Sequence, residues 1–429
     1  MKILHTADLH LGQIIYQNYD RCDEHHHFFK QLKNWCKEKK PDALLISGDI
    51  FDIQQPSASI KKTFTEYFVD LHKECPDMAM VITAGNHDSA SRLQADHAVW
   101  NLANTTLIGI GPTAESGGNW ADNYIVRLKS GYVVAIPFMT GERPQVLQEI
   151  LNKINVENAD GKPVVMMGHT AVTGLDATGH DFEIGKIKTQ DSKSFGEGFD
   201  YLALGHIHKP QTIGHQGDTF NPSVSYPAPV VRYSGSALHV SCDEDYPHTV
   251  SLVEIDKHGG TVKIEQLQID ELRHFYILPE DGSSFTSSDE AINAIGQFCQ
   301  DYKSGYIRLR IDNKTDIPSN FNQMVYDCLA LTNDEVRYNP KILWTGQTTN
   351  TDSEQKDIKF EIADIQQMTN PLDFIEKTIE QYPTLTIEEI REAFNEVEKE
   401  IKRMDEEEKI KIASKTSKKT NANETTITQ

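Results

Sequence analysis

Five short motifs follow one another along this 429-residue chain, each at the end of a largely apolar run. They are Asp8-x-His10, Gly48-Asp49, Gly85-Asn86-His87-Asp88, Gly168-His169 and Gly205-His206-x-His208. The runs before them span 3–7, 42–47, 80–84, 163–167 and 201–204. A short apolar run halted by Gly reads as a buried strand. In an open α/β sheet the ligand crevice lies beyond the carboxyl ends of the strands. The motifs are therefore expected on one rim, where they gather Asp8, Asp49, Asn86, His10, His169, His206 and His208. So polar a set is not buried without a cation, and it suits two divalent metals.

Two metals that share a site need a bridging carboxylate and two sets of terminal ligands. Asp49, on the second strand and central in the order, is the expected bridge. Asp8, His10 and His208 would complete one set, and Asn86, His169 and His206 the other. Mixed nitrogen and oxygen donors without thiolate disfavour structural zinc and fit Mn²⁺, with Fe or Zn also admissible. His87, beside a ligand on an extended turn, is expected to contact a scissile phosphate and protonate the leaving oxygen. Asp52 and Asp88 are expected to orient ligand imidazoles from behind. His25, His26 and His27 read as part of a polar helix face, and His239 and His248 have no strand-end context.

The chain is too long for one ordinary core and should form two or three units. No apolar run approaches the ~18 residues that span a bilayer. The six cysteines show no C-x-x-C pairing, which fits reduced thiols and a cytoplasmic location without membrane attachment. The net charge is −22. Residues 1–270 hold 23 Lys/Arg against 34 Asp/Glu, and 271–429 hold 19 against 30, so neither part is basic. A protein that grips duplex DNA alone usually shows a basic surface. If DNA is the substrate, a partner or a small local patch must supply much of the affinity.

Residues 1–270 alternate strands with helical stretches at 22–39, 57–74 and 142–155, which predicts helices outside two packed sheets. Later strands are expected at 132–137, 250–256 and 262–269. Residues 271–350 change pattern: strands at 275–278, 306–311 and 336–343 alternate with helices at 288–302 and 321–331, a small α/β unit. Residues 351–370 read as a linker. In 371–410, Leu372, Ile375, Ile379 and Tyr382, then Ile387, Ile390, Phe394, Val397, Ile401 and Met404, step by three and four. Such a seam belongs to a helical hairpin, buried on itself or docked on a partner's coiled coil. The tail 411–429, polar and without aromatics, reads as disordered.

The stretch Met1-Lys-Ile-Leu-His-Thr-Ala-Asp-Leu-His-Leu-Gly12, with Gly48-Asp-Ile-Phe-Asp52, Gly85-Asn-His-Asp-Ser89 and Leu204-Gly-His-Ile-His208, resembles the calcineurin-like metallophosphoesterases. Among them it is similar to the nuclease subunits of bacterial SbcCD complexes, over about residues 1–350. The resemblance implies a four-layer α/β/β/α sandwich, a DNA-capping domain at 271–350 and C-terminal amphipathic helices that bind an SbcC-type coiled-coil ATPase. It implies two Mn²⁺ per chain and a phosphodiesterase that is a 3′→5′ exonuclease on DNA double-strand ends and an endonuclease on single strands and hairpins. It also implies a homodimer within a heterotetramer, serving DNA end processing, recombination and repair. Two other readings remain open on the residues alone: a stand-alone phosphoesterase acting on a small ester, and a non-catalytic scaffold.

Overall fold

Strands buried on both faces are largely apolar, and the runs that precede the motifs are almost wholly buried in the computed structural model. The described residues are 1–345, apart from 17–18, 114–118, 177–188, 216–221, 241–243, 245 and 334. The chain enters through β1 (Lys2–Thr6), β2 (Ile14–Ile15), β3 (Tyr19–Asp20), α1 (Cys22–Lys39), β4 (Ala43–Ser47), α2 (Ala58–Glu74), β5 (Ala79–Thr83), α3 (Ala90–Trp100) and β6 (Thr105–Ile108). It continues through β7 (Ile125–Leu128), β8 (Gly131–Ala135), α4 (Pro144–Glu157), β9 (Val164–His169), β10 (Tyr201–Gly205), β11 (Gln211–Thr212), β12 (Ser223–Pro227), β13 (Val230–Tyr233), β14 (Thr249–Ile255) and β15 (Thr261–Gln268). Last come β16 (Phe275–Leu278), α5 (Ser288–Asp301), β17 (Gly305–Asp312), α6 (Phe321–Thr332) and β18 (Val336–Thr345).

Two sheets carry the five motifs. One has the order β12-β15-β14-β1-β4-β5-β6, the other β11-β13-β10-β9-β8-β7. Side chains alternate across each strand. Leu4, Leu44, Ile46, Met80 and Ile82 meet Phe28, Leu32, Phe64, Phe68 and Leu71 of α1 and α2. Their neighbours Ile3, Leu45 and Val81 face the other way, onto Val165, Met167, Tyr201 and Ala203 of the second sheet. Beyond that sheet, Val164, Met166, Leu202 and Leu204 pack on Leu147, Ile150, Leu151 and Ile154 of α4. The layers are therefore helix, sheet, sheet, helix, as expected. Each buried aliphatic side chain contributes about 1.5–3 kcal/mol relative to leaving it exposed.

The expected helix 22–39 coincides with α1. Helix α2 starts one residue late because Ser57 is its cap, its side chain accepting from the Ile60 amide. Helix α4 starts at Pro144 rather than 142, since proline suits the first helical turn. His25 departs from expectation: it is buried, its ring nitrogens 2.9 Å from the Arg21 carbonyl and 2.8 Å from the Leu9 carbonyl. The polar face of α1 therefore excludes it.

Strands β16, β17 and β18 run parallel, and parallel neighbours need crossovers, which α5 and α6 provide. This small sheet has its own core of Leu278, Ile295, Phe298, Leu309, Val325 and Tyr338. It lies within the same compact unit, Met1–Gln347, as the sandwich. An ion cluster joins them. Buried Glu24 of α1 receives Arg21 at 2.8 Å, Arg337 at 3.2 Å and the Tyr306 hydroxyl, while Arg273 bonds Asp23 at 2.6 Å. The expected linker, helical hairpin and tail, 351–429, lie outside the described residues. Among the described residues no helix is long and apolar enough to cross a membrane.

Candidate metal centre

Each motif begins where a strand stops, and the backbone there is unusual. Asp8, His10, Asp49 and His206 have φ of 51°, 45°, 48° and 93°, a region that side chains other than Gly enter at a cost of ~1–3 kcal/mol. Hydrogen bonds hold them in it. The Asp8 amide donates to the Gly48 carbonyl and the His10 amide to the Asp49 carbonyl, both at 3.0 Å. The His206 amide, from the second sheet, donates to both carboxylate oxygens of Asp8 at 3.0 and 3.1 Å. Gly85 has no alternative, because a Cβ there would stand 2.1 Å from Asp49 Oδ1.

The first sheet thus supplies Asp8, His10, Asp49 and Asn86, and the second supplies His169, His206 and His208. They form two groups. Asp8, His10 and His208 offer ligand atoms all within 4.8 Å of one another, as do Asp8, Asp49 and His169. Asn86 Oδ1 lies 3.0 Å from His169 Nε2 and 2.9 Å from His206 Nδ1. Asp8 is common to both groups, and Asp49 Oδ2 lies 3.2 Å from His169 Nε2 of its own group and 3.9 Å from His10 Nε2 of the other. All seven side chains expected as ligands are brought together.

The electrostatics call for positive charge. Burial alone would raise the Asp49 carboxyl, yet His169 and His10 hold it well below the usual range. Burial lowers His169, but the Asp49 carboxylate overrides it and pushes the imidazole up to about 9. His169 Nδ1 donates to the Ser47 carbonyl at 2.7 Å, so Nε2 is the edge turned toward Asp49 and Asn86. His10 Nε2 is buried and has no hydrogen-bond partner among the described residues. Two carboxylates, an amide oxygen and several inward imidazoles fit divalent cations.

A family comparison agrees with this chemistry: residues 1–210 match the model of the calcineurin-like phosphoesterases. Residues 1–210 are thus a calcineurin-like phosphoesterase domain. Relatives include the SbcCD nuclease subunit of Rhodobacter capsulatus, 29% identical over 287 residues, covering 59% of this chain and 66% of the relative. The protein of the same name from Escherichia coli (strain K12) is 27% identical over 328 residues, covering 69% and 75%. The chain thus spans about two thirds of the Rhodobacter protein and more of the Escherichia one. A solved dimetal phosphatase from Danio rerio is similar at 10% identity with a TM-score of 0.34, covering 63% of this chain and 99% of that one.

Around the ligands of this phosphoesterase, the two expected outer carboxylates behave differently. Asp52 Oδ1 lies 3.3 Å from His10 Nδ1. Among the described residues Asp88 bonds backbone amides and no imidazole. Its carboxylate accepts from the amides of Ile50, Phe51 and Gly85 at 3.0, 3.0 and 2.8 Å, tying the loop after β4 to the loop after β5. Burial, aided by Asp49, pushes its carboxyl up to about 6. His87 is exposed; its amide donates to Asp49 Oδ1 at 2.8 Å, and its Nδ1 to the Asp52 carbonyl at 2.8 Å.

Sequence reasoning missed one buried acid at this phosphoesterase site, Glu244. Its Oε1 lies 2.9 Å from His208 Nδ1, and its Oε2 3.2 Å from His248 Nε2. Burial would raise this carboxyl, but His208, bonded to it, and the neighbouring His248 hold it well below the usual range. No local pattern marks it, because it stands 36 residues from His208.

Proposed function

We propose that this phosphoesterase is a Mn²⁺-dependent DNA nuclease that uses two ions per chain. Its substrates would be double-strand ends, taken 3′→5′, and single strands and hairpins, cut internally. The observation that carries the reading is Asp49 Oδ2, which lies between the imidazoles of the two ligand groups. Asp8, His10 and His208 would hold one ion, and Asn86, His169 and His206 the other, with Asp49 shared. Bound divalent ions supply Lewis acidity and positive charge to an attack on phosphorus.

The remaining work falls to the chain. Asp52 fixes His10, Asp8 grips the turn that carries His206, and Asp88 joins the loops that carry Asp49 and Asn86. His87 keeps Nδ1 on the Asp52 carbonyl, which leaves Nε2 as the edge that gives a proton to the leaving oxygen.

Because relatives are named as the nuclease component of SbcCD, we extend the proposal to an SbcC-type ATPase partner, reached through residues 371–410, and to a homodimer within a heterotetramer. The β16–β18 unit would cap DNA. A partner that supplies basic surface also accounts for the charge of −22. The test is cleavage of an end-labelled DNA hairpin by the full chain in Mn²⁺, with and without the ATPase, beside Asp49→Ala. Cleavage that vanishes in Asp49→Ala is expected. Turnover of a small phosphodiester, with DNA untouched even when the ATPase and ATP are added, would overturn the DNA reading.

A further inference from the structure

The connection between β13 and β14 contains no motif, yet it reaches the metal centre through one side chain. We infer that Glu244, braced by His248, is the positioning residue that aims His208 at its metal ion. The inference rests on the two-metal reading and adds a residue to it.

His208 has two ring nitrogens, and only one can face Asp8 and His10. Glu244 Oε1 takes Nδ1 at 2.9 Å, which turns Nε2 toward those ligands. A ring held only by rotation about its side-chain bonds would sample other orientations, and each would withdraw the nitrogen from the ion. The carboxylate is itself fixed. Its Oε2 accepts the Val240 amide at 3.1 Å and lies 3.2 Å from His248 Nε2. His248 is held in turn, its Nδ1 2.9 Å from the Ser236 carbonyl. Glu244 and His248 are 3% and 0% exposed, so water does not compete for these bonds.

The support is confined to one ion. His169, expected on the other, takes its orientation from the Ser47 carbonyl, and His206 lies against Asn86. Loss of Glu244 should therefore split the two sites rather than weaken both. Removing an outer partner of this kind costs about 10–100-fold in metal affinity.

The experiment is Mn²⁺ titration of the full chain followed by calorimetry and by electron paramagnetic resonance, comparing the unsubstituted protein, Glu244→Gln and Asp200→Asn. Asp200 is a buried carboxylate that binds the Val164 and Gly259 amides and no expected ligand, so it controls for general loosening of the fold. Glu244→Gln should lose about 10–100-fold in one binding step and leave the other unchanged, giving a single-ion spectrum where the unsubstituted chain gives a coupled pair. Asp200→Asn should retain both steps. If Glu244→Gln does not fold, His248→Phe carries the test, with a smaller loss expected at the same step. Two unaltered steps, or equal weakening of both, overturn the inference while leaving the two-metal reading intact. Absence of two Mn²⁺ steps in the unsubstituted chain overturns that reading, and the inference with it.

Discussion

His87 and Asn86 are consecutive, but the turn sends them to different tasks. Asn86 faces two imidazoles, whereas His87 is exposed with its ring edge-on to His10 at 4.9 Å. His87 also groups with His10 and Asp52 closely enough to hold a cation, so its role needs a measurement that separates ligand from acid. If it is the leaving-group acid, His87→Ala keeps Mn²⁺ affinity and lowers the single-turnover cleavage rate by about 10²–10⁴-fold. A parallel fall in Mn²⁺ affinity would place it among the ligands instead. The residues that sequence alone could locate are those whose signal is local. Gly48-Asp49 and Gly85-Asn86 announce themselves because the glycine permits the ligand beside it. Glu244 could not be located that way, since its partner comes near only after the second sheet has formed.

At the scale of the element, α1 begins on a carbonyl of the first motif loop. His25 lies there between the Leu9 and Arg21 carbonyls, and burial together with the Arg21 charge lowers its imidazole to about 4. An unfolded chain holds this proton up to about pH 6.5. The folded-state value is depressed, so the stability is full above pH 6.5 and declines as pH falls toward 4. The contribution is roughly 3 kcal/mol when folded and unfolded values differ by this much. Urea unfolding of His25→Gln should show a flatter decline between pH 6.5 and 4 than the unsubstituted protein; identical declines would refute the assignment.

Strands buried on both faces were legible for the same reason that α1 and α2 were: their periods are carried by many residues. Helix α3 and strands β11–β13 were not. Only Leu93 and Trp100 of α3 are buried, too few to establish a period, and β11 has two residues. His25 was misread because its neighbours His26 and His27 are polar and nothing local tells which of the three turns inward.

For the whole molecule, the seating of the β16–β18 unit depends on Glu24. Removing its carboxylate leaves Arg21 and Arg337 facing each other without their shared partner, and breaking a buried ion pair in this way costs about 3–5 kcal/mol. Glu24→Ala should lower the denaturation midpoint accordingly and raise amide exchange in β16 and β17 above that in β4 and β5. Exchange that rises equally in all four strands would mean the cluster stabilises the fold at large rather than this junction.

The proposed metal donors are divided between two sheets, from Asp8 near the start of the chain to His208, two hundred positions on. Neither sheet holds a full set. During synthesis the first sheet's ligands emerge long before those of the second, and a half-docked sandwich presents only scattered carboxylates and imidazoles. On the two-metal reading, hydrolytic power would arrive only together with the completed fold, when both sheets have brought their donors to one rim.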